Sequence, residues 1–214
     1  MNINSTKTSL LASRLDLLEV SSSISTLPWV GAVACPCLDV PEANALVSLV
    51  DQLEYRPAKA ITGSDKAPVY QDFDLCYDVP SGHRLWEFAQ VLEQALTSAL
   101  AGAEVDSECY PLRLNDLIVQ RYPPGCAGIT PHRDHVRYGF LIAIILLTGD
   151  GYFGICDDRQ GNESREIDFK PGDLLLMGGP GLIPNFRRPF HFVNGVTDWR
   201  RTIGLRYDTH KSDA

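Results

Sequence analysis

Apolar residues recur along this chain with two different periods, and the change from one to the other divides it. Ala45, Leu46, Leu49, Val50 and Leu53 recur at helical spacing, with Pro41 placed where a first helical turn tolerates it. They predict an early packing helix. Leu85, Phe88, Ala89, Leu92, Leu96, Ala99 and Leu100 share one face of a longer helix that starts near Ser81, ends at Gly102 and should cover one side of a sheet. Between the two, Tyr55 to Tyr77 holds Pro57, Gly63, Pro68 and several aromatics, a composition for loops and short strands and a natural place for a substrate-facing lid. From Leu112 onward the pattern shifts to short β-rich runs: Leu117 to Tyr122, Gly139 to Leu147, Tyr152 to Cys156, Glu166 to Phe169, Leu174 to Met177, His191 to Val193 and Thr202 to Tyr207. Turn signals at Pro123-Pro124-Gly125, Gly149-Asp150-Gly151, Pro171-Gly172-Asp173 and Gly178 to Gly181 separate them. Many short strands in one domain predict an α+β fold with a mainly β core, a jelly roll or another small barrel flanked by N-terminal helices.

A length of 214 residues with 44% hydrophobic content supports one buried core, so residues 27–214 read as a single domain. Residues 1–26 are polar and weakly periodic and read as a flexible N-terminal arm. That arm lacks the basic, apolar and small-residue succession of a secretory signal. The longest apolar run, Phe140 to Leu147, is far shorter than the roughly 20 residues needed to cross a bilayer. The six cysteines then read as reduced thiols in a cytoplasmic protein, and Cys35-Pro-Cys37 has no second pair at zinc-site spacing. A net charge of -8 disfavours nucleic acid as a partner, since such affinity comes from neutralising phosphates. Yet the arginines gather late, at Arg113, Arg121, Arg133, Arg137, Arg187, Arg188, Arg200, Arg201 and Arg206, which makes that half cationic and suits a small-molecule, anionic substrate.

The chemistry concentrates in the same half. His132-Arg133-Asp134 sets an imidazole and a carboxylate two residues apart, on one side of an extended segment. His191, in the strand-like Phe190-His191-Phe192-Val193, is the histidine placed to complete three ligands. Two His and one carboxylate leave three positions open on iron, enough for a bidentate co-substrate and dioxygen. Downstream, Arg200, Thr202, Gly204 and Arg206 alternate onto one strand face, and a buried face with arginines at both ends needs an anion. A dicarboxylate such as 2-oxoglutarate would supply it.

Taken together, Leu117-Ile118-Val119-Gln120-Arg121-Tyr122-Pro123-Pro124-Gly125, His132-x-Asp134, Gly172-Asp173-Leu174-Leu175-Leu176-Met177-Gly178-Gly179, His191 and the Arg200 to Arg206 strand resemble the iron(II) and 2-oxoglutarate dioxygenases, within them the AlkB-like branch. The resemblance covers roughly residues 112 to 207. It implies a double-stranded β-helix, Fe(II), 2-oxoglutarate and O2, and oxidation of an organic substrate with release of succinate and CO2. His132, Asp134 and His191 would be the metal ligands and catalytic centre. Gln120 and Tyr122 would contact 2-oxoglutarate, Arg200 its distal carboxylate with Thr202 on the same face, and Arg206 the metal-bound end. The family has Asn where this chain has Gln120 and again where it has Thr202. Arg201 competes with Arg200, because related oxygenases often place the arginine ten residues after the second His.

His132-Arg133-Asp134 also spells a protein-kinase triplet, but Gly139 stands where that pattern needs Asn, and no Gly-rich phosphate loop precedes it. A zinc hydrolase could use the three ligands but would leave the Arg200 to Arg206 strand without a purpose. A non-catalytic jelly-roll binding module is the alternative of another class. Within the enzyme reading, hydroxylation or oxidative demethylation of a small metabolite competes with demethylation of alkylated nucleic acid, and the acidic balance favours the metabolite. His135, Arg133, Arg137 and Tyr138 could line the substrate mouth, and Arg187 and Arg188 could meet an acidic substrate or pair with the acidic first half.

Overall fold

A computed structural model describes residues 13–105 and 112–211. Two antiparallel sheets face each other. The larger runs, in spatial order, β1 (Ala32–Pro36), β11 (Asp173–Gly178), β8 (Tyr138–Thr148), β13 (Arg200–Asp208), β6 (Asp116–Tyr122), β5 (Asp74–Cys76) and β2 (Arg56–Pro57). The smaller runs β10 (Arg165–Glu166), β9 (Tyr152–Cys156), β12 (Phe190–Asn194), β7 (Gly128–His132), β4 (Ala67–Asp72) and β3 (Ile61–Ser64). This is a double-stranded β-helix, in which the chain passes from the larger sheet to the smaller between β8 and β9 and back between β12 and β13.

The two-residue period of a strand explains how the larger sheet serves two cores. Leu117 and Val119 of β6, Ala143, Ile145 and Leu147 of β8, and Ile203 and Leu205 of β13 point outward to the helices. Their neighbours Ile118, Tyr122, Ile142 and Leu146 point inward, where they meet Ile129, Phe153, Ile155 and Val193 of the smaller sheet. The helix layer consists of α1 (Leu17–Val30), α2 (Val40–Val50) and α3 (Arg84–Leu100). Helix α3 buries the seven residues its periodicity singles out, and each large apolar side chain so buried stabilises by about 1.5–3 kcal/mol. Asp39 and Glu42 close a reciprocal capping box at the start of α2.

The structure corrects the expected arm. Polar residues 1–26 give way at Leu17 to α1, which Asp16 caps and which buries Val20, Ile24 and Leu27 against α3, β1 and β11. Residues 1–12 of that arm lie outside the described residues. Serines at 21, 22, 23 and 25 dilute the apolar signal, but Val20, Ile24 and Leu27 still recur at helical spacing. The expected strand over Glu166 to Phe169 shortens to Arg165–Glu166. Ile167 and Phe169 are instead buried beside the inner core. The segment expected as a lid contains the hairpin of β3 and β4, whose Gln71 and Asp72 extend the smaller sheet by pairing with Ile129 and Gly128. Cys35 and Cys37 are buried free thiols on β1 and just after it; burial pushes Cys35 up to about 12 and Cys37 up likewise, so both are packing residues. Among the described residues no helix is long and apolar enough to cross a membrane.

Candidate metal and co-substrate site

Five of the predicted site residues are placed by one strand pair. β6 and β13 run antiparallel with Tyr122 opposite Arg200, Gln120 opposite Thr202 and Asp116 opposite Arg206. All point into the chamber between the sheets, since every second residue of a strand shares a face. Gly204 continues that face, where a Cβ would come 2.9 Å from Ile118 Cγ2, so the glycine keeps the chamber open. On the opposite wall His132 of β7 and His191 of β12 are cross-strand partners, with ring centroids 4.1 Å apart. Gly128, at φ +75°, lets β7 approach the carbonyl of Val193 closely enough to set up that pairing; a side chain there would collide with it.

Asp134 follows β7 and turns its carboxylate to the two rings, with Oδ1 3.9 Å from His132 Nε2. One potential ligand atom from each of His132, Asp134 and His191 lies within 4.8 Å of the others. His132 Nδ1 lies 3.0 Å from the Thr130 carbonyl, which can only accept, so Nδ1 carries the proton and Nε2 keeps its lone pair. Among the described residues His191 Nδ1 is buried without a partner, a costly state unless something else occupies it. Burial, then the adjacent His132, pushes His191 down to about 3. Burial also lowers His132. For Asp134 burial acts upward, but His191, Arg206, His132 and Arg188 together hold it below the usual carboxylate range. At neutral pH the cluster is therefore two neutral imidazoles and one carboxylate, the protonation state a divalent cation requires.

Across the chamber, Arg200 is 1% exposed, its Nε has no partner, and its Nη1 donates to the Asp150 carbonyl at 3.0 Å. Among the described residues no carboxylate pairs with it. Burial depresses its pKa, with Tyr122 and Asp150 acting the other way. Asp150 is itself a clamp: its carboxylate accepts from the Thr197 and Asp198 amides at 2.7 and 2.9 Å and from the Thr197 hydroxyl, which hold it below the usual range. The competitor Arg201 points to the other face and pairs with Asp51 at 2.7 Å.

The expectation that both ends of this strand need an external anion is corrected at the Arg206 end. Arg206 pairs with Asp116 at 2.7 Å, an internal carboxylate that also receives Lys211 at 2.6 Å. Its Nη2 donates to the Tyr77 hydroxyl at 3.1 Å and its guanidinium lies over Tyr138, 4.2 Å from the ring centroid. Asp116 escaped the sequence reading, although its two-residue spacing from Ile118, Gln120 and Tyr122 puts it on their face. Thr202 donates to Gln120 Oε1 at 3.3 Å. Tyr122 is buried, which raises its hydroxyl pKa.

Of the residues expected at the mouth, Tyr138 is buried and Arg137 pairs with Asp208 at 3.2 Å, so both are structural. Arg133 stacks on Phe190, 4.1 Å from the ring centroid, and Arg159 lies 5.4 Å from the same ring. Arg188 Nη1 donates 2.7 Å to the Asp134 carbonyl. Burial, then Arg188, Arg187 and Arg159, lower the pKa of Arg133, so four like charges share one patch. Among the described residues neither Arg187 nor Arg188 pairs with a carboxylate of the acidic first half; Arg187 reaches the Asp157 carbonyl, at 3.5 Å.

No family model and no curated protein matches the sequence. Solved structures do resemble the fold. A Pseudomonas putida prolyl-4-hydroxylase superposes with a TM-score of 0.63 at 13% identity, over 88% of this chain and 98% of its own. A Burkholderia pseudomallei oxidoreductase of the 2OG-Fe(II) oxygenase family gives 0.59 at 16% identity, over 92% and 91%. SnoN, a non-haem α-ketoglutarate-dependent epimerase of nogalamycin biosynthesis, gives 0.58 at 20% identity, over 90% and 84%. Nearly the whole chain thus adopts the double-stranded β-helix fold of solved iron(II) and 2-oxoglutarate oxygenases.

Proposed function

We propose that this chain is an Fe(II)- and 2-oxoglutarate-dependent dioxygenase acting on a small organic substrate. The observation that carries the reading is the pairing, across one chamber, of a two-His, one-Asp cluster with a buried guanidinium that has no carboxylate of its own among the described residues. A structural metal site would not need Arg200, and a structural arginine would not be left without an anion.

His132, Asp134 and His191 would hold the metal, the ligand set that suits ferrous iron with open positions. When bound, the iron and keto acid supply oxidising power from O2, giving succinate, CO2 and an oxidised substrate. The protein supplies placement. Arg200 anchors the distal carboxylate, and Asp150 fixes the guanidinium through its carbonyl. Tyr122, Gln120 and Thr202 offer polar contacts along the keto acid. Arg206, already neutralised by Asp116, serves chiefly to keep Asp134 ionised and its strand in register. Ile118, Ile142, Phe153 and Val193 line the rest of the chamber and exclude water.

The AlkB-like motifs across residues 112 to 207 belong to this proposal as a likeness, and the net charge of -8 supports a metabolite over a nucleic acid strand. The test is anaerobic addition of Fe(II) and 2-oxoglutarate to the purified protein. A visible charge-transfer band that His191→Ala abolishes is the expected result. No band would favour the non-catalytic binding module.

A further inference from the structure

The patch around Phe190 is chemically odd for a protein of this acidity. Arg133, Arg159, Arg187 and Arg188 lie together, and among the described residues none is within ion-pair distance of a carboxylate. Several other arginines are neutralised: Arg121 with Asp74, Arg137 with Asp208, Arg201 with Asp51, Arg206 with Asp116. With Asp and Glu outnumbering Lys and Arg by 27 to 19, carboxylates were available.

The patch also has a built centre. Among the described residues Arg133 Nε is buried with no partner while its guanidinium lies over the Phe190 ring, so the group is held in place with donors unspent. Its position matters equally. Arg133 sits between the ligands His132 and Asp134, Phe190 precedes the ligand His191, and Arg188 grips the Asp134 carbonyl. Alternation points Phe190 and Arg133 away from the chamber that their neighbours line, so the arginines form its rim.

We propose that this rim is an anion site for a dianionic group, a phosphate monoester by preference, carried by the small molecule that is oxidised. A monocarboxylate would be met by one bidentate arginine, whereas a phosphoryl group has acceptor oxygens for several. Anchored on the rim, such a group stays outside while the organic portion reaches the metal ligands one residue away. The site itself is independent of the oxygenase reading; its role as a substrate handle rests on that reading.

The test uses the metal-free full chain titrated calorimetrically with phenyl phosphate, with benzoate as the monoanionic control, in the presence of saturating 2-oxoglutarate to occupy the chamber. The variant is Arg159→Ala/Arg187→Ala, which spares the residues flanking the metal ligands; both side chains are exposed, so the fold should persist. The expected result is phenyl phosphate binding at least about tenfold tighter than benzoate, and at least about tenfold weaker in the variant, with 2-oxoglutarate affinity unchanged. Equal binding of the two probes, or binding indifferent to the variant, would overturn the proposal. So would a single-stranded oligonucleotide that displaces phenyl phosphate with a steep salt dependence, which would assign the rim to nucleic acid. Phenyl phosphate binding by these arginines without any iron and keto-acid band would instead retain the rim site and remove the oxygenase reading.

Discussion

Replacing Arg200 with Met separates two free energies that its guanidinium carries with opposite sign. In the ligand-free protein the group is 1% exposed and faces a carbonyl, with no carboxylate among the described residues to compensate it. Even a buried ion pair exchanged for apolar groups of similar volume is often neutral or stabilising, by up to about 4 kcal/mol, and a guanidinium facing only a carbonyl has less Coulombic attraction to lose. In a domain of this size each kcal/mol moves the melting temperature by about 2–4 °C, so ligand-free Arg200→Met should melt at least about 2 °C above wild type. With 2-oxoglutarate present the sign reverses. A keto acid that loses the partner of its distal carboxylate forfeits about 2–5 kcal/mol, which weakens its binding from roughly thirtyfold to several thousandfold. At about 100 times its dissociation constant, the ligand stabilises wild type by about 2.7 kcal/mol, a shift of roughly 5–10 °C that the variant should lack. Thermal melting with and without 2-oxoglutarate, backed by calorimetry, reads both quantities. Arg201→Ala is the control: its pair with Asp51 is worth less than about 1 kcal/mol, and its ligand shift should equal that of wild type. A variant Arg200→Met that melts lower than wild type yet retains the full ligand shift would refute the reasoning, as would loss of the shift in Arg201→Ala.

Asp116→Asn should cost about 3–5 kcal/mol, because Arg206 and Asp116 side chains are 8% and 2% exposed and the change leaves a buried guanidinium underpaired; a melting temperature within a degree of wild type would show the pair to be idle. Metal-free stability should depend on pH through His191, held at about 3 in the folded chain against 6.5 ordinarily. Between those values the unfolded chain takes up a proton that the folded one refuses, so this contribution is complete above about pH 6.5 and is lost as pH falls toward 3. Denaturant titrations should show that slope, and His191→Gln should flatten it; an unaltered slope would assign the titration elsewhere. His132→Ala should abolish the anaerobic charge-transfer band, and retention of wild-type intensity would remove His132 from the ligand set.

The parts of this molecule that were readable in advance are those in which a single period carries the information. Helix α3 shows its seven core positions at one spacing, and the inner face of β13 shows Arg200, Thr202, Gly204 and Arg206 at another. His191 could be paired with His132 because strand character was visible around it. What escaped needed knowledge of partners. β7 contains Gly128 and Pro131 and follows a Pro-Pro-Gly turn, so it reads as loop until β4 and β12 supply its hydrogen bonds. β1 hides behind its Cys-Pro-Cys ending, and its place at the sheet edge comes only from β11. Asp116 lay one step beyond the expected start of β6, so Arg206 looked unpaired. Only the register of β6 against β13 reveals that the acid and the base are opposite one another. The rim arginines come from three separate segments, and no local pattern announces that they converge.

The two faces of the larger sheet divide the work of the molecule. Leu117, Val119, Ile203 and Leu205 are at most 2% exposed on the helix side, and there they supply cohesion. The chamber side of the same strands can then hold Gln120, Tyr122, Arg200 and Thr202 at little risk to the fold. Changes to chamber residues are thus partly insulated from folding, and a scaffold of this kind can be retuned to new substrates by exchanging inward residues while its outward ones stay fixed. The limits of that freedom are set by Gly204 and Ile118, whose close approach leaves the chamber floor room for little more than a hydrogen.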